Sequence, residues 1–90
     1  MAEVDIERAR RCVGANIREH RLRRGWTQGE LAERVGVEPL FIRVLEGARR
    51  APSFATLVRL LAALDIEPNQ LFEQRELQRN PVGRPPKKPR

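Results

Sequence analysis

Arginine is the side chain through which this 90-residue sequence can do most chemistry: lysine and arginine together number 18, against one histidine and one cysteine. A guanidinium does not act as a base at neutral pH, but its fork of N–H donors grips phosphate, carboxylate or the edge of a guanine with two parallel hydrogen bonds. The same inventory argues against catalysis. A single His20 excludes a histidine-pair mechanism, and Cys12 and His20 together are too few for a zinc site. No glycine-rich phosphate loop precedes a helix, and a chain of this size leaves little room for a pocket. Neither an enzyme nor a cofactor or metal is expected, and the lone Cys12 can form no internal disulfide.

The cations are unevenly placed. Residues 1–76 carry a net charge of +1, whereas residues 77–90 hold Arg79, Arg84, Lys87, Lys88 and Arg90 with no acid, a net +5. A polyanionic partner is therefore suggested chiefly by the C-terminal tail, residues 75–90, whose Pro81, Pro85, Pro86 and Pro89 mark it as disordered by composition. No apolar run is long enough to span a bilayer, and Met1-Ala2-Glu3-Val4-Asp5 is acidic where an export signal is basic and then apolar, so a cytoplasmic protein without membrane contact is expected. Length allows one small core, placed in residues 6–74.

The residues before the tail read as helices separated by clear punctuation. Val13, Ile17 and His20 recur at helical spacing, with Ala9 a turn earlier, from Ile6 to Arg24, and Gly25 supplies the stop. Acids at the front of that helix and Arg21, Arg23 and Arg24 at its back follow the order a helix dipole favours. Thr27-Gln28-Gly29-Glu30 has the spacing of a capping box, so helix two begins at Gln28, carries Leu31, Ala32 and Val35, and turns at Gly36. Helix three follows at once, with Pro39 in its first turn, Ile42 and Leu45 inward, and an end near Glu46-Gly47. Ser53 caps a fourth helix with an apolar stripe of Leu57, Leu60, Leu61 and Leu64. Pro68 opens a fifth, containing Leu71 and Phe72. Four or five short helices, no strand signal and a tight turn between helices two and three make an all-α domain with a helix-turn-helix inside it.

The order Gly14-Ala15-Asn16-Ile17-Arg18, Arg21, Gly25-Trp26-Thr27-Gln28, Glu30-Leu31-Ala32, Gly36-Val37, Ile42, Leu45-Glu46, Arg49-Arg50, Pro52-Ser53 and Leu57 resembles the XRE-type, phage-repressor-like helix-turn-helix regulators, from about Val13 to Phe72. The resemblance implies a compact lambda-repressor-like domain that binds double-stranded DNA, with helix two across the backbone and helix three in the major groove. Gln28, with Thr27 beside it, matches the position that contacts phosphate at a helix start. Arg49 and Arg50 match a backbone clamp that positions without specifying. Arg21 and Glu46 match a partly buried structural ion pair. The resemblance also implies a two-fold dimer, for which Ile66, Leu71 and Phe72 are the expected contacts, because a short terminal helix does not easily bury all three at home.

Departures from the family's pattern fall on the reading helix. Glu38, Pro39, Leu40 and Phe41, with Val44 further on, stand where small polar residues and amides are usual. Leu40 and Val44 can offer only apolar contact to a thymine methyl, or else form a patch where another protein docks; Glu38 repels phosphate unless it accepts from cytosine. Arg43 is a guanine reader or a solvated, phosphate-facing charge. Phe41, Trp26 and His20 are read as packed residues. Gly47-Ala48 reverses the common order, in which Gly stands second, and so bears on how helix three exits. In the tail, Val82-Gly83-Arg84-Pro85 followed by Lys87 and Lys88 resembles an AT-hook with Val82 in place of its first Arg; the alternative is a solvated extension that adds affinity through counterion release. The functional expectation is a small, nucleoid-associated, repressor-like transcription regulator, the alternative being a protein-interaction module or antitoxin-like regulator whose apolar helix three docks a partner.

Overall fold

In the computed structural model, which describes residues 5–74, five helices follow one another: α1 (Ile6–Arg23), α2 (Gln28–Val35), α3 (Pro39–Glu46), α4 (Phe54–Leu64) and α5 (Pro68–Phe72). Three of the helix starts follow from local side-chain chemistry. Asp5, Thr27 and Ser53 each cap the helix that follows by accepting the N–H of Arg8, Glu30 and Thr56, at 2.9, 3.0 and 3.1 Å. The Glu30 carboxylate returns the bond to the Thr27 N–H at 2.8 Å, completing the capping box.

The ends of α1 to α4 share one device, a residue in the left-handed region followed by an N–H that folds back onto the last turn. After α1, Gly25 has φ +72° and the Trp26 N–H donates to Arg21 O at 3.2 Å. Following α2, Gly36 has φ +88° and the Val37 N–H donates to Ala32 O at 3.0 Å. At the end of α4, Asp65 takes φ +55° and the Ile66 N–H reaches Leu61 O at 3.2 Å. The exit from α3 has the same bonds, Ala48 N–H to Leu45 O at 3.0 Å and Arg49 N–H to Val44 O at 3.1 Å. Its left-handed residue, however, is Ala48 at φ +62°, while Gly47 one place earlier has φ −83°. The reversed Gly-Ala order therefore leaves the exit geometry intact and puts the strain on a residue with a Cβ.

Every helix contributes to one core: Val13 and Ile17, Leu31, Ala32 and Val35, Ile42 and Leu45, Leu60 and Leu64, and Leu71 are all buried. Trp26, Phe41, Leu57, Leu61 and Ile66 pack around it. Cys12 and His20 are buried on α1, whereas Ala9 is exposed. Leu71 is wholly inaccessible, so it is withdrawn from the expected dimer contacts: the helix that looked too short to bury it is held down by Asn16. The Asn16 amide, itself buried, donates to Leu71 O at 2.9 Å and Glu73 O at 2.7 Å, satisfying carbonyls at the end of α5.

Two contacts set α3 against α1. At Gly14 the helices approach so closely that an added methyl group would lie 2.5 Å from Leu45 O and 2.9 Å from Glu46 O. Nearby, Arg21 Nε and Nη2 donate to the two Glu46 carboxylate oxygens at 2.6 and 3.0 Å, and Arg21 Nη1 donates to Trp26 O at 2.8 Å. Only 8% and 4% of these two side chains is exposed. The Gln28 amide adds a third donor to Glu46, at 3.0 Å, so the pair also ties in the start of α2.

Urea denaturation checks three expectations. Ala48→Gly is stabilising by about 0.5–1 kcal/mol, because it relieves a left-handed penalty of roughly 1–2 kcal/mol and returns part of that as glycine's extra chain entropy. Gly14→Ala is destabilising by about 1–3 kcal/mol, as the helices must separate to admit the methyl. Arg21→Ala or Glu46→Ala costs about 3–5 kcal/mol by leaving its partner buried and uncompensated.

Candidate nucleic-acid interface

Helix α3 has two clearly different sides. Ile42 and Leu45 are fully buried and Phe41 leans on the core, while Leu40, Arg43, Val44 and Gly47, spaced i, i+3, i+4 and i+7, form the outward stripe. Leu40 is 66% exposed, Arg43 and Gly47 are exposed, and Val44 is half-buried. Glu38, the residue before the helix, is exposed and makes no side-chain capping bond, and Pro39 occupies the first turn, where its missing N–H costs nothing. The stripe thus presents two aliphatic side chains and one guanidinium, with no amide or hydroxyl.

Arg49 and Arg50 follow in the loop that α3 hands on through Ala48, and both are exposed. Because the Arg49 N–H is fixed to Val44 O, the start of this cationic loop is tied to the outward stripe. Thr27 is exposed at the start of α2, but its hydroxyl is already engaged as the cap. Gln28 is half-buried and spends an amide N–H on Glu46. Its expected place at a helix start is found; its bond into the Arg21–Glu46 cluster is an addition that spacing alone did not disclose.

Several other arginines are committed elsewhere. The Arg34 guanidinium lies 4.2 Å from the centre of the Trp26 ring and that of Arg24 5.8 Å from it, so Trp26 packs under cations instead of offering a bare face for base stacking. Arg23 pairs with Glu19 along α1 at 3.0 Å. Arg43, Arg49 and Arg50 are in no ion pair among the described residues, as is also true of the exposed Arg11 and Arg18 on α1 and Arg59 on α4; what sets the three apart is that they cluster on α3 and the loop after it. Ile66 is half-buried and Phe72 is 51% exposed at the other end of the chain's path, with Phe54 and Val58 exposed one turn apart on α4. Arg84, Lys87 and Lys88, with the rest of the tail, lie outside the described residues. Among the described residues no group of histidine, cysteine and acidic side chains could hold a metal ion, and no helix is long and apolar enough to cross a membrane.

The two residues that sequence reasoning passed over are Asn16 and Gly14. Each stood in the family pattern without a role. A signal was available for Asn16, since Val13, Asn16, Ile17 and His20 share one helical face and a polar residue there must find a buried partner. Gly14 carried no such signal, because the close approach that needs it exists only after α3 has packed.

Residues 13–73 match the family described as a helix-turn-helix domain. The chain is 51% identical over 51 residues to an uncharacterised HTH-type transcriptional regulator of Methanothermobacter thermautotrophicus, covering 57% of this chain and 74% of that protein. Among solved structures it is similar to a hypothetical transcription factor from Neisseria, with a TM-score of 0.70 at 28% identity over 82% of this chain and 86% of the other. It is also similar to the P22 c2 repressor solved with a synthetic operator, with a TM-score of 0.65 at 28% identity over 70% and 96% of the two chains. A family match over most of the chain and this agreement in fold lead to one conclusion: the chain belongs to the helix-turn-helix transcriptional regulators, a non-enzymatic, DNA-binding class.

Proposed function

We propose that this protein binds double-stranded DNA in a sequence-specific way as a small transcriptional regulator, with α3 in the major groove and α2 crossing the backbone. The observation that carries the reading is the placement of three exposed arginines in no ion pair, Arg43, Arg49 and Arg50, on and directly after the outward stripe of α3. Arg49 and Arg50 neutralise phosphates, and the start of α2 at Thr27 and Gln28 receives another, where the helix dipole and the backbone N–H groups left outside the capping box favour an anion. Arg84, Lys87 and Lys88 in the tail add phosphate or minor-groove contacts. The P22 c2 repressor's structure with an operator supports this placement by analogy of fold. Acting on chromosomal DNA, the protein works in the cytoplasm, at the nucleoid.

Pairing into a two-fold dimer is part of this proposal, since it doubles the recognised site and sets half-sites about one helical turn apart. The contact is assigned to Phe72 and Ile66, with Leu71 excluded by burial. Sedimentation at micromolar concentration is expected to give a dimer that Phe72→Ala weakens.

A second reading, in which α3 docks a protein partner, is favoured by the exposure of Leu40. A salt titration of binding to mixed-sequence duplex DNA separates the two. Arg49→Ala with Arg50→Ala is expected to weaken binding to every duplex and to reduce the slope of log affinity against log salt by roughly two. Unchanged binding in that variant, with all salt dependence removed instead by neutralising Arg84, Lys87 and Lys88, makes the domain a protein-docking module tethered to DNA by its tail.

A further inference from the structure

We infer that α3 selects its DNA site through the C5 methyl groups of thymine, with Leu40 and Val44 as the specificity-determining side chains and Arg43 adding one polar contact beside them. The inference rests on the placement of α3 in the major groove proposed above and names what that helix reads there.

The composition of the outward stripe carries the argument. Of the groups that base pairs display in the major groove, the thymine methyl is the one apolar group that projects into it, the C–H edges of cytosine and the purines being far smaller. A side chain without a polar atom has one favourable counterpart in that set. Against any other edge, Leu40 would strip water from a donor or acceptor and return no bond, so the same residue selects for thymine and penalises its alternatives. Leu40 is the most exposed side chain of the stripe for which burial in the complex is a gain, since two thirds of its surface faces water in the free protein.

Spacing sharpens the expectation. Leu40 and Val44 are four residues apart, roughly 6 Å along the helix axis, which is close to two base-pair steps of about 3.4 Å each. With α3 lying along the groove, thymines one to two steps apart would meet both side chains. Arg43, between them on the same face and exposed, reaches an adjacent guanine edge or the phosphate beside it. Glu38 reinforces the orientation: an exposed carboxylate at the start of α3 is repelled by phosphate, and accepts only from the amino group of a cytosine or adenine, which favours base edges over backbone at that end. A protein partner fits the stripe less well, because two aliphatic side chains with Arg43 between them and Arg49 and Arg50 beyond fall short of the apolar core a stable protein interface needs.

The test uses the full chain. Binding selection from duplexes with 20 random base pairs, about two helical turns, yields a preferred site, which is then remade with deoxyuridine at each thymine in turn; the exchange removes the methyl and keeps Watson–Crick pairing. At one or more thymines the exchange is expected to weaken binding about fourfold, the factor for losing one buried methyl-sized group. In Leu40→Ala or Val44→Ala that penalty disappears at the thymine each residue contacts, while Arg49→Ala lowers affinity for thymine and deoxyuridine duplexes alike. Leu40 is exposed, so its variant keeps the core, and the exchange in the unaltered protein tests the inference independently of any variant. Selection of a definite site with equal affinity for thymine and deoxyuridine throughout overturns methyl reading and leaves DNA recognition standing. Failure to select any sequence overturns both.

Discussion

The Arg21–Glu46 ion pair is the constraint on which the arrangement of this domain depends. It joins the end of α1 to the end of α3, takes a bond from the start of α2 through Gln28, and holds the carbonyl of Trp26 in the connection between α1 and α2. Helix α3 has only eight residues, too few for autonomous stability, so its angle is dictated by what it touches. Ile42 and Leu45 fix which side faces inward, the bare backbone of Gly14 fixes how near it comes, and the ion pair fixes its rotation and end point. A hydrophobic pair in the same place could match the stability; it would not match the directional bonds that place three helices with one carboxylate.

Electrostatics in this protein are a matter of placement more than of total charge. The residues up to position 76 are close to neutral, so no strong field surrounds the folded part. Several of its arginines stand in clearly different surroundings. Arg21 is buried with a carboxylate, Arg34 and Arg24 lie over an indole, and Arg43, Arg49 and Arg50 project from α3 and the loop after it. Guanidinium suits all three settings, because it is planar, permanently charged and weakly hydrated compared with an ammonium.

Much of this was legible in the sequence, and the division between what was and was not is physical. Helix starts and stops are local: Thr27 with Glu30, Ser53, Gly25 and Gly36 act on backbone groups within five residues, so their spacing suffices. The inward faces of α3 and α4 follow from periodicity. The Arg21–Glu46 pair joins residues 25 apart and was accessible only through the resemblance to a family. The burial of Leu71 was missed because it depends on Asn16, a residue 55 positions away whose amide captures α5 by its carbonyls. Ala48 shows the converse. Local preference argues against an alanine at φ +62°, yet the Ala48 and Arg49 N–H bonds back onto α3 hold it there.

The capture of α5 also decides where Gln74 lies. Asn16 holds the Leu71 and Glu73 carbonyls, and the Arg8 guanidinium donates to the Gln74 side chain at 2.8 Å, so Gln74 lies beside the first turn of α1. Ile6 and Phe72 line one shallow groove there, together with Pro52 and Leu57. The start of α1 and the residues just after α5 therefore share a single corner. Tension between them would not stretch the core along its length; it would open the α1–α5 seam like a zip, one contact at a time, and leave the joint between α1, α2 and α3 unstressed until α5 had come away.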